Sequence, residues 1–121
     1  MAAPNLVNVA TITAKSVQAA LSTTLTTEIL ANASSSGKVF KINNIIVANI
    51  DGTNAADASV FITKSGGSPI AIASTISVPA DATLVVINKD TALYLEEGDN
   101  IEAGASAASD LTITINYEEL S

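Results

Sequence analysis

The chain of 121 residues contains no cysteine, no histidine, no tryptophan and no arginine. Without cysteine it can form neither a disulfide nor a thiolate nucleophile, and without cysteine and histidine it lacks the usual protein ligands of structural zinc and haem iron. Histidine is also the side chain that most often transfers protons near neutral pH. These absences remove most enzyme chemistry, and the sequence predicts that the protein is not an enzyme.

Positive charge is scarce as well. Five lysines stand against twelve acidic residues, which gives a net charge of −7 and a pI of about 4.1. A surface that binds nucleic acid needs clustered lysine and arginine to neutralise phosphates. We therefore expect no nucleic-acid partner.

Long hydrophobic runs are also missing. The longest, Ile45–Ala48 and Leu84–Ile87, are far shorter than the run of about 18 apolar residues that suggests a transmembrane helix. Residues 1–15 lack the basic start and continuous apolar stretch of a secretory signal. The sequence thus predicts a soluble protein with no membrane partner.

The abundant residues are the β-branched ones. Isoleucine, valine and threonine occupy 36 positions, whereas phenylalanine and tyrosine occur twice each. β-Branched side chains pack well on a pleated sheet, so strands are the expected elements. The clearest strand is Leu111–Tyr117, in which apolar and polar residues alternate.

The same alternation extends to other segments. One such segment runs from Phe40 to Ile50. Its residues Phe40, Ile42, Ile46, Ala48 and Ile50 are expected to share one buried face, interrupted only at Asn44. Leu84–Ile87 is a short apolar run and could be a strand that is covered on both faces. The other predicted strands are Ile70–Val78, Leu84–Ile87, Ala58–Thr63, Leu93–Leu95 and Asn100–Ala105.

The segment from Val17 to Ala31 is ambiguous. Val17, Leu21, Leu25 and Ile29 recur every four residues, as on one face of a helix. Threonine, however, favours strands over helices, and this segment contains four threonines. We therefore expect two short strands here.

Turn-forming residues separate the predicted strands. Glycine, proline, asparagine and aspartate supply the torsions and local hydrogen bonds that turns require. Short strands with turns between them and no helices predict an all-β fold, namely an antiparallel β-sandwich of the jelly-roll or immunoglobulin-like type. We expect residues 15–121 to form this single domain and residues 1–14 to form an N-terminal arm. The turns are 34–37, 51–54, 65–69, 79–81 and 97–100.

The best candidate for a metal site is the loop Asp51–Asp57, because calcium binds several carboxylate and carbonyl oxygens from one loop. The loop does not fit an EF-hand. Counted from Asp51, the sixth residue is Ala56 where glycine is needed, and the twelfth is Ile62 where a bidentate glutamate is needed. A solvated hairpin turn is the favoured interpretation, with a calcium loop as the alternative.

Glu96, Glu97 and Asp99 form a second acidic cluster that resembles paired carboxylates for acid–base catalysis. Because apolar residues flank Gly98 and Asp99, a solvated turn between strands is favoured. Lys15–Ser16 and Lys64–Ser65 lack the spacing of a serine–lysine pair, and Gly66–Gly67 lacks the other residues of a phosphate loop. The sequon at Asn32 is given no weight. We predict no catalytic, cofactor-binding or metal-binding residue, and no cofactor.

Five segments look like those of small virion structural proteins of tailed bacteriophages, especially phages that infect marine cyanobacteria. The resemblance covers Gly37 to Ser121, and its motifs identify a type of protein better than a role. The segments are Gly37–Asn43, Val47–Gly52, Val78–Ile87, Tyr94–Ile101 and Tyr117–Ser121.

This resemblance implies a β-sandwich subunit of the virion, and the favoured role is that of a decoration or cement protein on the capsid exterior. It implies the major capsid protein or other virion subunits as partners, and a homo-oligomer, often a trimer. A neck, tail or fibre component is the first alternative. A carbohydrate-binding module, calcium-dependent through Asp51, Asn54 and Asp57, is the second.

The N-terminal segment Met1–Ala14 is polar enough to be exposed, yet it carries Leu6, Val7, Val9 and Ile12. We expect it to act as an arm that docks on a neighbouring subunit. Its deletion is expected to abolish binding to capsids and to leave the isolated fold intact.

Overall fold

A computed structural model describes residues 8–121. Within this range the chain forms nine strands and one 3-10 helix, and every strand pairing is antiparallel. The strands are β1 (Ile12–Ala20), β2 (Thr27–Ala31), β3 (Val39–Asn49), β4 (Ala56–Thr63), β5 (Ile70–Val78), β6 (Thr83–Ile87), β7 (Leu93–Leu95), β8 (Asn100–Ala105) and β9 (Leu111–Leu120), and the 3-10 helix is Lys89–Thr91.

The strands form two sheets that pack against each other. The first sheet has the order β1-β9-β3-β6, and the short β7 also pairs with β3, at residues 40–42, where β6 does not reach. The second sheet has the order β2-β8-β4-β5. This order is that of a jelly roll with β7 as an additional short strand, because the chain winds back and forth between the sheets. The predicted all-β sandwich is confirmed, in the first of its two expected forms.

The core lies between the sheets and is aliphatic. In β9 the alternation predicted for Leu111–Tyr117 is confirmed, since every odd residue of this segment is buried. Tyr117 contributes to an aromatic pair with Phe40, whose ring centroids lie 5.1 Å apart. The second sheet supplies smaller partners such as Ala58, Val60 and Ala103, which are fully buried. Branched aliphatic residues and alanine therefore fill the interior that the composition predicted.

The predicted face of β3 is wrong in its second half. A β-bulge lies between Ile42 and Asn44 in the pairing with β9. The extra residue inverts the alternation, so Ile45 and Val47 are buried while Ile50 is 62% exposed. The predicted interruption of the alternation at Asn44 is correct, but the buried residues of the predicted face before it are even-numbered, whereas the buried residues after it are odd-numbered.

Two apolar strands are more exposed than expected. In β6, predicted to be coverable on both faces, Val85 is 55% exposed, because β6 is the edge of the first sheet. In β5, Ile70 is 62% exposed and Ile76 is 40% exposed, because β5 is the edge of the second sheet. Periodicity identifies strands, but it does not tell whether an outer neighbour covers them.

The ambiguous segment forms two strands, β1 and β2, as predicted. The loop between them packs over Gly104 of β8, where an added Cβ atom would lie 2.7 Å from the carbonyl oxygen of Thr24. Leu21 at the start of this loop is buried. The recurrence every four residues therefore reflects one buried loop residue between two strands and not a helical face.

The predicted arm is described in part. Residues 1–7 lie outside the described residues. The N–H groups of Ala10 and Thr11 donate to the carbonyl oxygen of Ser121 at 2.8 and 2.9 Å, and β1 begins at Ile12. The predicted boundary at Lys15 thus falls inside β1, whose first three residues pair with the end of β9.

Candidate functional site

One end of the sandwich carries the most concentrated polar network. The loops 32–38, 64–69 and 96–99 meet there, and the Asp99 side chain at their centre is 2% exposed. Its carboxylate accepts hydrogen bonds from the backbone N–H of Glu96 at 2.8 Å, the backbone N–H of Ser65 at 3.0 Å, and the Lys64 ammonium group. We name these four residues the Asp99 cluster.

Lys64 is held in its charged form. Its ammonium group lies 2.8 Å from a carboxylate oxygen of Glu96 and also contacts Asp99. Burial lowers the pKa of Lys64, but the hydrogen bonds and negative charges of Asp99 and Glu96 outweigh this effect and leave the pKa above 10.5. A lysine held protonated cannot act as the base that a serine nucleophile needs, so the Lys64–Ser65 pair has a structural role here.

Asn32 lies beside this cluster and is 1% exposed. Its amide nitrogen donates to the carbonyl oxygens of Lys38 at 2.8 Å and Leu95 at 3.1 Å, and its amide oxygen accepts from the Ser36 hydroxyl at 2.6 Å. These bonds satisfy a polar group that would otherwise be costly to bury. The sequon asparagine is thus an internal link between loops.

Gly98 completes the same loop. Its φ of +86° lies in the left-handed region, and an added Cβ atom would come within 2.7 Å of the Ser65 hydroxyl. The neighbouring Glu97 carboxylate accepts a hydrogen bond from the Gly37 N–H at 3.1 Å. The predicted turn is confirmed, but its predicted solvation is wrong for Asp99, because the three loops enclose that carboxylate.

The Asp51 loop lies at the start of the β3–β4 connection. The Asp51 carboxylate accepts hydrogen bonds from the N–H groups of Thr53 at 2.8 Å and Asn54 at 3.3 Å, and these bonds lower its pKa below 3.8. Asp57 lies in β4, where it pairs with Ser77. Within residues 8–121 no three carboxylates are grouped in a way that could hold a metal ion. The calcium interpretation therefore gains no support from the loop geometry.

Asn49 is the buried residue that fixes this loop, and it is 4% exposed. Its amide nitrogen donates at 2.9 Å to the carbonyl oxygens of both Asn54 and Val78, and its amide oxygen accepts from the Asp51 N–H at 2.8 Å. The sequence predicted no role for Asn49 and marked Asn32 only as a sequon. Their positions in the chain could have indicated these roles, because Asn32 directly follows β2 and Asn49 ends β3.

A third charged group, Glu119, lies near the end of β9. Its carboxylate is 3.0 Å from the Lys38 ammonium group and 3.4 Å from that of Lys15. Burial raises the pKa of Glu119, but the hydrogen bond and charge of Lys38, together with Lys15, outweigh this effect and leave the pKa below 4.5. Lys15 therefore pairs with a carboxylate, and no contact joins it to Ser16 as a base.

An open depression of about 380 Å³ lies beside β1, next to the bulge of β3. The bulge brings Asn43 to this position, where its amide nitrogen lies 3.4 Å from a carboxylate oxygen of Glu118. The amide oxygen of Asn43 is buried and has no hydrogen-bond partner among residues 8–121. The other lining residues are Ala14, Lys15, Ser16, Asn116 and Tyr117. This shallow, mainly neutral surface gathers no nucleophile with a base.

The remaining glycine candidate is structural. Gly66 has a φ of +74° in the β4–β5 loop, and the N–H of Gly67 donates to the carbonyl oxygen of Lys64 at 2.8 Å. This is a tight turn, as predicted. None of the described residues forms a helix long and apolar enough to cross a membrane.

Comparison of the chain with models of known protein families and with curated proteins gives no match to either.

Proposed function

We propose that the chain is a structural protein of a tailed-phage virion, namely a decoration protein that stabilises the capsid by bridging neighbouring shell subunits. The observation that carries this proposal is the closure of both ends of the jelly roll by buried hydrogen-bonded loops. Asp99 and Asn32 tie three loops together at one end, and Asn49 ties the β3–β4 connection to the end of β5 at the other. Buried polar groups thus hold the loops together at both ends of the subunit.

The resemblance to small phage virion proteins supports the same role. It covers Gly37 to Ser121, which corresponds to β3 through β9 and includes most of both sheets. Jelly rolls are common in viral capsid domains, although a fold by itself does not define a function. The proposal therefore rests on the resemblance and the closed loops together.

The net charge fits a position on the outside of the shell. The net charge of −7 disfavours contact with packaged DNA, whose phosphates are also negative. We infer that the partners are the major capsid protein and further copies of the chain, and the resemblance gives a trimer as the expected oligomer. A neck, tail or fibre position is the alternative, and it would require far fewer copies per particle.

Re-decoration of capsids tests this function. Particles assembled without the chain are mixed with purified protein, and bound copies are measured by co-sedimentation. The test variant lacks residues 1–9, because a deletion through Ala14 would also remove the first three residues of β1. We expect the wild type to bind and to raise the temperature at which the shells open.

The deletion variant is expected to keep the melting temperature of the isolated protein and to lose shell binding. Unchanged binding by this variant would remove the arm from the mechanism. Failure of the wild type to bind any capsid form, while it remains folded, would contradict the decoration role itself.

A further inference from the structure

β1 is an outer strand of the first sheet. Among residues 8–121 it pairs only with β9, and no strand lies along its other edge. The ladder between β1 and β9 runs without a register shift over all nine residues of β1. The pairings of the edge strands β2, β5 and β6 each contain a register shift, and β7 has only three residues. In the described part of the chain, β1 is therefore the one long edge with a regular main chain.

The hydrogen bonds at both ends of β1 show which of its main-chain groups are free. Just before β1, Thr11 and Ser121 exchange two bonds of 2.9 Å, and just after it the N–H of Leu21 donates to the carbonyl oxygen of Leu111 at 2.8 Å. In an antiparallel ladder, bonded pairs alternate with pairs that are not bonded. The odd-numbered residues of β1 therefore bond to β9, and the N–H and C=O groups of the even-numbered residues point away from it. These residues are Ile12, Ala14, Ser16, Gln18 and Ala20.

This free edge lacks the features that usually protect an edge strand. Natural sheets prevent edge pairing with β-bulges, prolines or charged side chains. None of the five free residues is a proline or charged, and all of them are exposed. Lys15 is the only charged residue of β1, and its ammonium group lies 3.4 Å from the Glu119 carboxylate. The edge thus presents alternating main-chain donors and acceptors that a further extended chain can satisfy.

A second copy of β1 fits this edge in one particular register. When two copies meet antiparallel about a two-fold axis at Ser16, Ile12 lies opposite Ala20 of the other copy, and Ala14 lies opposite Gln18. The free groups of all five residues in each copy are then paired, which gives about ten main-chain hydrogen bonds. Ile12, which is 61% exposed in the single chain, also gains an apolar neighbour.

The adjacent registers fit less well. An axis at Lys15 or at Val17 pairs only four of the five free residues in each copy. An axis at Lys15 also places the two ammonium groups directly opposite each other, which is destabilising. With the axis at Ser16, each Lys15 lies opposite Val17 of the other copy. The number of hydrogen bonds and the placement of charge therefore select the same register.

We propose that β1 is a two-fold contact between two copies of this chain, in which the first sheets join edge to edge with Ser16 at the axis. The partner is a second copy because the free groups of β1 pair with their own equivalents and no like charges lie opposite each other. The contact closes with two copies, so it predicts a dimer in place of the trimer that the resemblance implies. A single strand pair buries little area, and the dimer is expected to be weak. The proposal does not depend on the proposed virion function.

Sedimentation velocity measures the dimer, with the wild type at concentrations up to about 1 mM, where a weak dimer is still populated. We expect a species of twice 12.2 kDa that grows with concentration. Ser16→Pro removes a free N–H at the axis but no bond to β9, and it should weaken dimerisation at least about tenfold. Ser16→Ala is the matched control, because it keeps the N–H and should leave the dimer unchanged.

Cysteine cross-linking tests the register, and it also serves if Ser16→Pro fails to fold. The chain has no cysteine of its own. Ser16→Cys should form a disulfide-linked dimer under oxidising conditions, because the Cα atoms of a bonded antiparallel pair lie about 5.5 Å apart. Ala14→Cys should not link to itself, but it should link to Gln18→Cys when the two variants are mixed.

Amide hydrogen exchange followed by NMR tests whether the edge is free in the monomer. The odd-numbered amides of β1 should be protected at every concentration, and the even-numbered amides only where the dimer forms. A wild type that stays monomeric or forms a trimer, or a folded Ser16→Pro variant that dimerises like the wild type, would overturn the proposal. Self-linking of Ala14→Cys as fast as that of Ser16→Cys, or even-numbered amides protected at every concentration, would overturn it as well.

Discussion

Single polar side chains control the loops of this protein. Asp99 accepts three hydrogen bonds, and Asn49 donates two and accepts one. Both side chains are buried, and each connects segments that are distant in sequence. A buried polar group costs free energy unless all its bonds are made, so such residues select one arrangement of the loops. Their effect is expected to exceed that of any exposed charge in the molecule.

Asp99→Asn should lower the free energy of unfolding by about 2–4 kcal/mol, because an amide NH₂ group would face donors that now point at a carboxylate oxygen. Denaturant unfolding measures this change. Glu96→Gln is the matched control, since the Glu96 side chain is 66% exposed, and its cost should stay below about 0.5 kcal/mol. Equal effects of the two variants would show that Asp99 does not hold the loops.

Glu119 makes stability depend on pH. Its pKa is lowered in the folded state, so its contribution is present above the ordinary value of 4.5 and is lost as the pH falls through the lower, folded value. Glu119→Gln should cost about 1 kcal/mol at pH 7 and should flatten the acid side of the stability curve. Unfolding measured between about pH 3 and pH 7 tests this, with Asp90→Asn as the control. An unchanged acid slope in Glu119→Gln would contradict the assignment.

At the scale of elements, the strands were predictable and their faces only partly so. Alternation in β9 depends on local spacing alone, and the prediction for Leu111–Tyr117 is correct at every residue. In β3 the same rule failed after Ile42, because the bulge is defined against β9, whose register the sequence of β3 does not specify. The exposure of β5 and β6 could not be predicted either, since it depends on which strands end at a sheet edge.

The Asp99 cluster was likewise predictable only in part. That Glu97–Asp99 forms a turn follows from Gly98 and its neighbours, which are local in sequence. That Asp99 is enclosed depends on Ser65 and Lys64, which a different loop brings to it. The turn could therefore be predicted from the sequence, because it depends on neighbouring residues. The meeting of three loops at one end of the sandwich could not.

The phase change in β3 has a direct consequence for core substitutions. Ile45→Ala should lower the free energy of unfolding by about 2–5 kcal/mol, because Ile45 is fully buried and its loss leaves a cavity. Ile50→Ala, at a 62% exposed residue, should cost less than about 1 kcal/mol. Chemical denaturation distinguishes these values, and the reverse order would mean that the bulge is absent in solution.

At the scale of the whole molecule, an acidic jelly roll whose loops are tied together at both ends suits the proposed mechanical role. In the proposed role, the N-terminal arm binds a neighbouring subunit of the shell. Apolar area and main-chain hydrogen bonds at such contacts add stability to an assembly without any chemical step. The proposed function thus predicts where the chain resides and in what number.

The copy number and position of the chain in purified particles of the phage that encodes it test this claim most directly. Quantitative mass spectrometry gives the copies per particle, and an electron cryo-microscopy map locates the jelly roll. The proposed function predicts hundreds of copies on the outer surface of the capsid, at seams between shell subunits. A dozen copies or fewer on the tail axis, or no copies in the particle, would contradict it.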